Sequence, residues 1–109
     1  MRSIIKDNVL YFEFSGEFDN VQVHRIRSCV SAMIDKHQCS MVKFDFKHVE
    51  FVDSTGIGFV LARYNQICAY GGELVLKNVN SAVRKIFALS GIFSIISVEN
   101  AQKKKEVKS

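Results

Sequence analysis

The chain has 109 residues, 15 Lys and Arg against 11 Asp and Glu, a formal charge of +4 and a pI near 9.1. It is 48% hydrophobic and 24% charged, with six Gly, three Cys and neither Trp nor Pro, which excludes a disordered chain and fits one domain with an ordinary core. No apolar run reaches the ~18 residues of a membrane span, and Lys6 and Asp7 interrupt the first apolar stretch, so neither membrane insertion nor a signal peptide is expected.

Residues 2–6 are expected to pair with the next strand through a tight turn at Asp7-Asn8, giving an antiparallel edge. Val9 to Phe14 (VLYFEF) has strand composition, and Ser15-Gly16 breaks it. Asp19 or Asn20 caps a helix whose apolar stripe, Val23, Ile26, Val30, Met33 and Ile34, runs to about Lys36. Met41 to Phe46 (MVKFDF) reads as a second, largely buried strand, followed by a loop to Asp53. From Ser54 onward Ile57, Val60, Leu61, Tyr64, Ile67 and Cys68 repeat at helical spacing until Gly71-Gly72. Glu73 to Lys77 is a third strand, Ser81 caps a helix ending at Gly91, and Ser94 to Val98 is a last strand. Alternating strands and helices of this length imply an α/β fold. The expectation is a single mixed, mostly parallel sheet of four to five strands packed with about four α-helices, the last a short one in the tail.

The positive charge invites a nucleic-acid reading, so its location decides. Residues 100–109 (NAQKKKEVKS) hold four Lys and one Glu, whereas the other 99 residues carry 11 basic and 10 acidic side chains. A nucleic-acid footprint needs cations clustered on a folded face with aromatics to stack bases. Here the cluster is a tail without aromatics, read as frayed or helical, and the domain of residues 1–99 is nearly neutral. Direct nucleic-acid binding is not expected.

Cys29, Cys39 and Cys68 are odd in number and lack C-x-x-C spacing, which suits a reducing cytoplasm; Cys29 and Cys68 fall on apolar helix positions and read as small core residues. His24, His37 and His48 are scattered and read as surface or boundary residues. No metal site and no cofactor is expected. G-x-S-x-G and G-x-x-x-x-G-K-[ST] are absent, and Gly56-Ile57-Gly58 has Leu61 where a dinucleotide loop needs its third glycine. No base–nucleophile set is present, so no catalytic residue is expected.

Four glycines, Gly16, Gly71, Gly72 and Gly91, punctuate elements, but Gly56 and Gly58 sit in the first turns of a helix. Each costs about 0.5–1 kcal/mol there relative to Ala. Either the helix packs closely on the sheet or another molecule's backbone approaches this end; the pattern alone leaves both open. Just before them stands Asp53-Ser54-Thr55. Asp53 is a good N-cap, and a hydroxyl at Ser54 is well placed to carry a phosphate, because the free N–H groups and the helix dipole favour an anion. From the pattern alone, Ser54 and Thr55 also read as ordinary capping residues, the simpler of the two readings. D-S-T-G also resembles the catalytic turn of aspartic proteases, but that turn needs β-structure on both sides, and here a helix follows.

The segment FVDSTGIGFVLARYNQI, with Gly16-Glu17-Phe18-Asp19 and AVRKIFALSGIFSII, resembles the anti-sigma factor antagonist family, the stand-alone STAS domains, from about Asn8 to Glu99. ARYNQI, GGE and the SGIFSII ending are more similar to its sporulation members than to the general-stress ones. The resemblance implies a STAS-like fold and a cytoplasmic protein, monomeric when free. It implies that Ser54 is phosphorylated by a partner anti-sigma factor, a protein kinase of the histidine-kinase-like ATPase type. In the unphosphorylated form the antagonist would bind that partner and free sigma F, and a PP2C-type serine phosphatase would restore it. Asp19, Asp53, Thr55, Gly56, Ile57 and Gly58 would form the docking surface. The alternative is the same role in another partner-switching circuit, for general stress or secretion control. Two departures stand out: the loop Asn78-Val79-Asn80-Ser81 lacks the family's common proline, and Asn20 follows Asp19 where the sporulation members typically have His.

Overall fold

Asp7 and Asn8 both adopt positive φ, 53° and 62°, the conformation of a type I′ turn. They join strand β1 (Arg2–Lys6) to β2 (Val9–Phe18) as an antiparallel hairpin with Lys6 opposite Val9. In this computed structural model, which describes residues 1–99, the chain continues as α1 (Asn20–His37), β3 (Met41–Val52), α2 (Ser54–Ala69), β4 (Glu73–Lys77) and α3 (Ser81–Ser90). A single 3₁₀ turn (Ile92–Ser94) and β5 (Ser97–Glu99) follow. The strands lie in the order β1-β2-β3-β4-β5, and every pair after the hairpin is parallel. The mixed, mostly parallel sheet is therefore as the sequence implies, with three α-helices among the described residues. The fourth, expected in the tail, lies outside them.

Alternation along β2 and β3 divides the sheet into two faces. Leu10 and Phe12 pair across to Val42 and Phe44, and Phe14 sets its ring 5.6 Å from that of Phe46; all six are fully buried, whereas Tyr11, Glu13, Lys43 and Asp45 are half-buried on the other face. The buried face carries an aromatic cluster. Phe14 meets Phe44 edge-on at 5.2 Å, Phe18 meets Phe46 at 5.4 Å, and Phe59 of α2 joins at 5.5 Å from Phe18. Such edge-to-face pairs add about 0.5–1.5 kcal/mol each beyond burial. α1 contributes Val23, Ile26, Val30 and Ile34 to this core, and α2 contributes Phe59, Val60 and Ile67.

Several boundaries differ from expectation. β2 does not stop at Phe14: register shifts between Glu13 and Ser15 and between Gly16 and Glu17 act as bulges, and Gly16 takes φ 76° to carry one of them. β3 likewise runs past Phe46 to Val52. The bulges scramble the alternation that marks a strand in sequence, yet pairing resumes and ends with Phe18 beside Val52. α1 and α2 therefore spring from adjacent strand ends. The cap of α3 is Asn80, whose Oδ1 accepts from the Val83 N–H at 3.0 Å, one residue before the Ser81 expected. Residues 92–94 wind into the 3₁₀ turn behind the left-handed Gly91 (φ 79°), so β5 is shorter and later than expected, Ser97–Glu99 rather than Ser94 to Val98. Cys29 and Cys68 are exposed, not core; Cys39 is the buried one. The buried stripes of α1 and α2 are narrower than their apolar patterns and leave both thiols on the flanks.

Candidate functional site

Two helices begin side by side where β2 and β3 end, and one carboxylate ties them together. Asp53 caps α2, its Oδ1 accepting from the Gly56 N–H at 3.0 Å, while its Oδ2 accepts from the Asn20 N–H of α1 at 3.3 Å. Its own N–H donates to the Phe18 carbonyl at 3.5 Å. Asp19 caps α1 in parallel, Oδ1 accepting from the Gln22 N–H at 3.1 Å. The Gln22 side chain in turn donates to the carbonyls of Ser15 and Glu17, locking the bulged end of β2 beneath the site. The Asp19 and Asp53 side chains each take up N–H groups that a helix start leaves free. Neither helix has an acidic residue in its first turn beyond these caps.

The two glycines prove to have different reasons. A Cβ on Gly56 would stand 2.4 Å from the Phe18 carbonyl oxygen, 2.8 Å from the Phe18 ring and 3.1 Å from Val52, so the helix is seated on backbone there. Gly56 is a packing residue. A Cβ on Gly58 would meet nothing within 4 Å, and the residue is exposed. Packing does not require it to be glycine.

Ser54, the first residue of α2, is exposed, and its hydroxyl has no hydrogen-bond partner among the described residues. Thr55 and Ile57 are half-buried, Ile57 leaning on the core. Val21 in the first turn of α1 is 62% exposed and Phe51, just before the Asp53 cap, is 46% exposed, adding apolar surface at this end. The structure thus brings Asp19, Asp53, Ser54, Thr55, Gly56, Ile57 and Gly58 to one end of the helix pair. Sequence reading missed Gln22, although D-x-x-Q from Asp19 is a capping-box spacing. It also missed the Asp53–Asn20 link, which no local pattern signals across 33 residues.

An exposed, unpartnered hydroxyl at a helix N-terminus stands where free N–H groups and the helix dipole favour an anion. Among the described residues no cluster of three His, Cys, Asp or Glu side chains could hold a metal ion. No helix there is long and apolar enough to cross a membrane. The loop without proline is built by other means: Asn78 supplies a positive φ of 56°, and Asn80 donates to the Val49 carbonyl at 2.9 Å.

The family model of the STAS domain matches residues 2–105. The chain belongs to the STAS-domain family, among the anti-sigma factor antagonists. It is 33% identical over 90 residues to the anti-sigma F factor antagonist of Paenibacillus polymyxa, covering 83% of this chain and 77% of that one. In fold it is similar to the anti-sigma factor antagonist SpoIIAA in its unphosphorylated and phosphorylated forms, with TM-scores of 0.74 and 0.72 at 24% identity. Those alignments cover 98% and 99% of this chain and 94% and 98% of the other. An anti-sigma factor antagonist from Mycobacterium paratuberculosis superposes with a TM-score of 0.81 at 21% identity, over 90% of this chain and 82% of that one.

Proposed function

We propose that this protein is the antagonist of an anti-sigma factor in a sporulation-type partner switch, and that Ser54 is its switch. The unphosphorylated form docks the start of α2, with Asp19, Asp53, Thr55, Ile57 and Gly58 at the surface and the buried Gly56 seating the helix beneath them, on an anti-sigma factor that is a kinase of the histidine-kinase-like ATPase type. Docking displaces sigma F. The kinase then phosphorylates Ser54, and a PP2C-type serine phosphatase resets the protein. It works in the cytoplasm as a monomer when free, and it is substrate and ligand rather than catalyst.

The observation that carries this reading is the convergence of two helix N-termini on one exposed serine. A phosphate there adds about −1.5 to −2 charges. The dipoles and free N–H groups of both helices tolerate it, so the fold survives. The docking surface does not: Gly58 offers bare backbone for close approach, and a bulky dianion beside it is poorly accommodated by a packed or acidic partner. A loss of roughly 3 kcal/mol weakens binding more than a hundredfold. The relatives support the circuit, since the 33%-identical protein is named an antagonist of anti-sigma F factor.

The test is reconstitution with the anti-sigma F factor and sigma F of Paenibacillus polymyxa, following sigma release by fluorescence anisotropy. The unphosphorylated chain releases sigma F, and Ser54→Asp releases at least tenfold less at equal concentration. Failure of the unphosphorylated chain to bind overturns the sporulation assignment. Release of a general-stress sigma factor from its own anti-sigma factor in a parallel arm places the chain in the other circuit.

A further inference from the structure

Away from the Ser54 end, α1 and α2 enclose an open cleft of about 450 Å³ lined by Arg27, Ser28, Ser31, Ala32 and Asp35 of α1 and by Arg63 of α2. Nine residues separate Ser54 from Arg63, about 13 Å along the helix, so the cleft is distinct from the docking end. Its charge is unbalanced. Arg63 lies across the Phe59 ring, its guanidinium carbon 5.2 Å from the centroid. Its Nε and Nη1 are buried and have no hydrogen-bond partner among the described residues, and no carboxylate there reaches it at salt-bridge distance. The nearby acid, Asp35, is occupied by Gln66, whose Nε2 donates to Asp35 Oδ1 at 2.8 Å and to the Ser31 carbonyl at 2.9 Å. Burial and the neighbouring Arg27 lower the proton affinity of the Arg63 guanidinium, while Asp35 raises it. The group stays charged.

Two guanidinium groups lining one cleft repel each other, and buried N–H donors without acceptors are destabilising. One kind of ligand relieves both. We propose that the cleft between α1 and α2 binds an oxyanion of phosphate size, free or as the monoester of a small molecule, through Arg27, Arg63 and the Ser28 and Ser31 hydroxyls. Binding requires Arg63 to turn its Nε and Nη1, buried in this structure, toward the cleft, where the fork can meet two phosphate oxygens at once. The cleft is shallow and open to solvent, which leaves room beside a phosphate for the organic part of a monoester. Asp35, which also lines the cleft, sets a limit: it opposes a second anion and leaves one net positive charge for the first.

The test is an NMR titration of the ¹⁵N-labelled full chain with inorganic phosphate at constant ionic strength, chloride replacing phosphate in the control. The Arg27 and Arg63 side-chain Nε–H resonances shift saturably, with a Kd in the range of about 1–10 mM expected for a few exposed charge-assisted bonds. Arg63→Met weakens the binding about tenfold, and Arg27→Gln, an exposed change that does not threaten folding, does the same. Asp35→Asn tightens it several-fold by removing the opposing charge. A second arm with glycerol phosphate separates the sources: equal affinity means the anion alone is recognised, and tighter binding means a monoester. Unsaturated shifts, shifts matched by chloride, unchanged affinity in both arginine variants, or shifts confined to the Ser54 and Gly56 amides each overturn the proposal. Since the readout is on Arg27 and Arg63, it is independent of whether Ser54 is the switch.

Discussion

α2 and α3 begin alike and are seated differently. Each opens with a short polar cap followed by an exposed serine, Asp53-Ser54 and Asn80-Ser81, and each cap accepts from the N–H three residues on, at 3.0 Å. Beyond that they part. Two residues after Ser54 stands Gly56, with no room for a Cβ; two residues after Ser81 stands Val83, fully buried. α2 is thus pressed onto the backbone of Phe18, while α3 is held off by a side chain. The second cap oxygen of Asp53 reaches the start of another helix, whereas the Asn80 amide donates to a strand carbonyl, Val49. An N-terminal serine is common. What singles out Ser54 is a second helix start beside it, an open glycine one turn on, and exposed Val21 and Phe51 at the same end of the molecule.

The largest expected effect breaks the seating of α2. Gly56→Ala places a methyl 2.4 Å from a carbonyl oxygen that no rotamer change can move, and costs about 2–4 kcal/mol, the range of a severe packing clash. Urea denaturation checks it; a loss under 0.5 kcal/mol shows that α2 is not held at Phe18. Next come the caps. Asp53→Ala costs about 1–2 kcal/mol, and amide hydrogen exchange quickens at both Gly56 and Asn20. Asn80→Ala quickens exchange at Val83 and leaves α1 untouched. Equal, purely local effects of the two would remove the coupling of α1 to α2. Gly58→Ala gains about 0.5–1 kcal/mol from helix propensity, raising the melting temperature while weakening docking on the anti-sigma factor, as a surface glycine kept for close approach requires.

The smallest effect concerns pH. Burial holds the Tyr70 phenol above its ordinary pKa of 10.0, with the neighbouring Cys39 and Asp35 adding to the shift, and its hydroxyl donates to the Cys39 carbonyl at 2.9 Å. A pKa raised on folding means that the folded state favours the protonated phenol. Its contribution is complete below the ordinary value and is lost as the pH climbs through the raised one. Melting temperature measured from pH 8 to 11 falls more steeply for the wild type than for Tyr70→Phe; parallel slopes would show that the phenol carries no such linkage.

Much of this was legible in the residues. VLYFEF and MVKFDF display their alternation, Asp7-Asn8 is a hairpin turn in its letters, and Asp53-Ser54 before a helical repeat marks a cap. The extension of β2 to Phe18 was not, because bulges at Ser15 and Gly16 break the period that identifies a strand. Cys29 and Cys68 misled because an apolar pattern does not say how wide a stripe the neighbours cover. At the site, the two glycines looked equivalent. Only the position of Phe18, brought against Gly56 by pairing with Val52, separates the packed one from the open one. The link from Asp53 to Asn20 is a tertiary fact, and so is the unpaired Arg63.

One measurement bears on the contrast between the two helix starts most directly. The chain is incubated with the anti-sigma F factor of Paenibacillus polymyxa and ATP, and the phosphate is mapped by mass spectrometry. Phosphate on Ser54 and none on Ser81, with incorporation abolished in Ser54→Ala, is the predicted result. Phosphate on Ser81, or undiminished labelling of Ser54→Ala, would contradict the assignment of Ser54 as the switch.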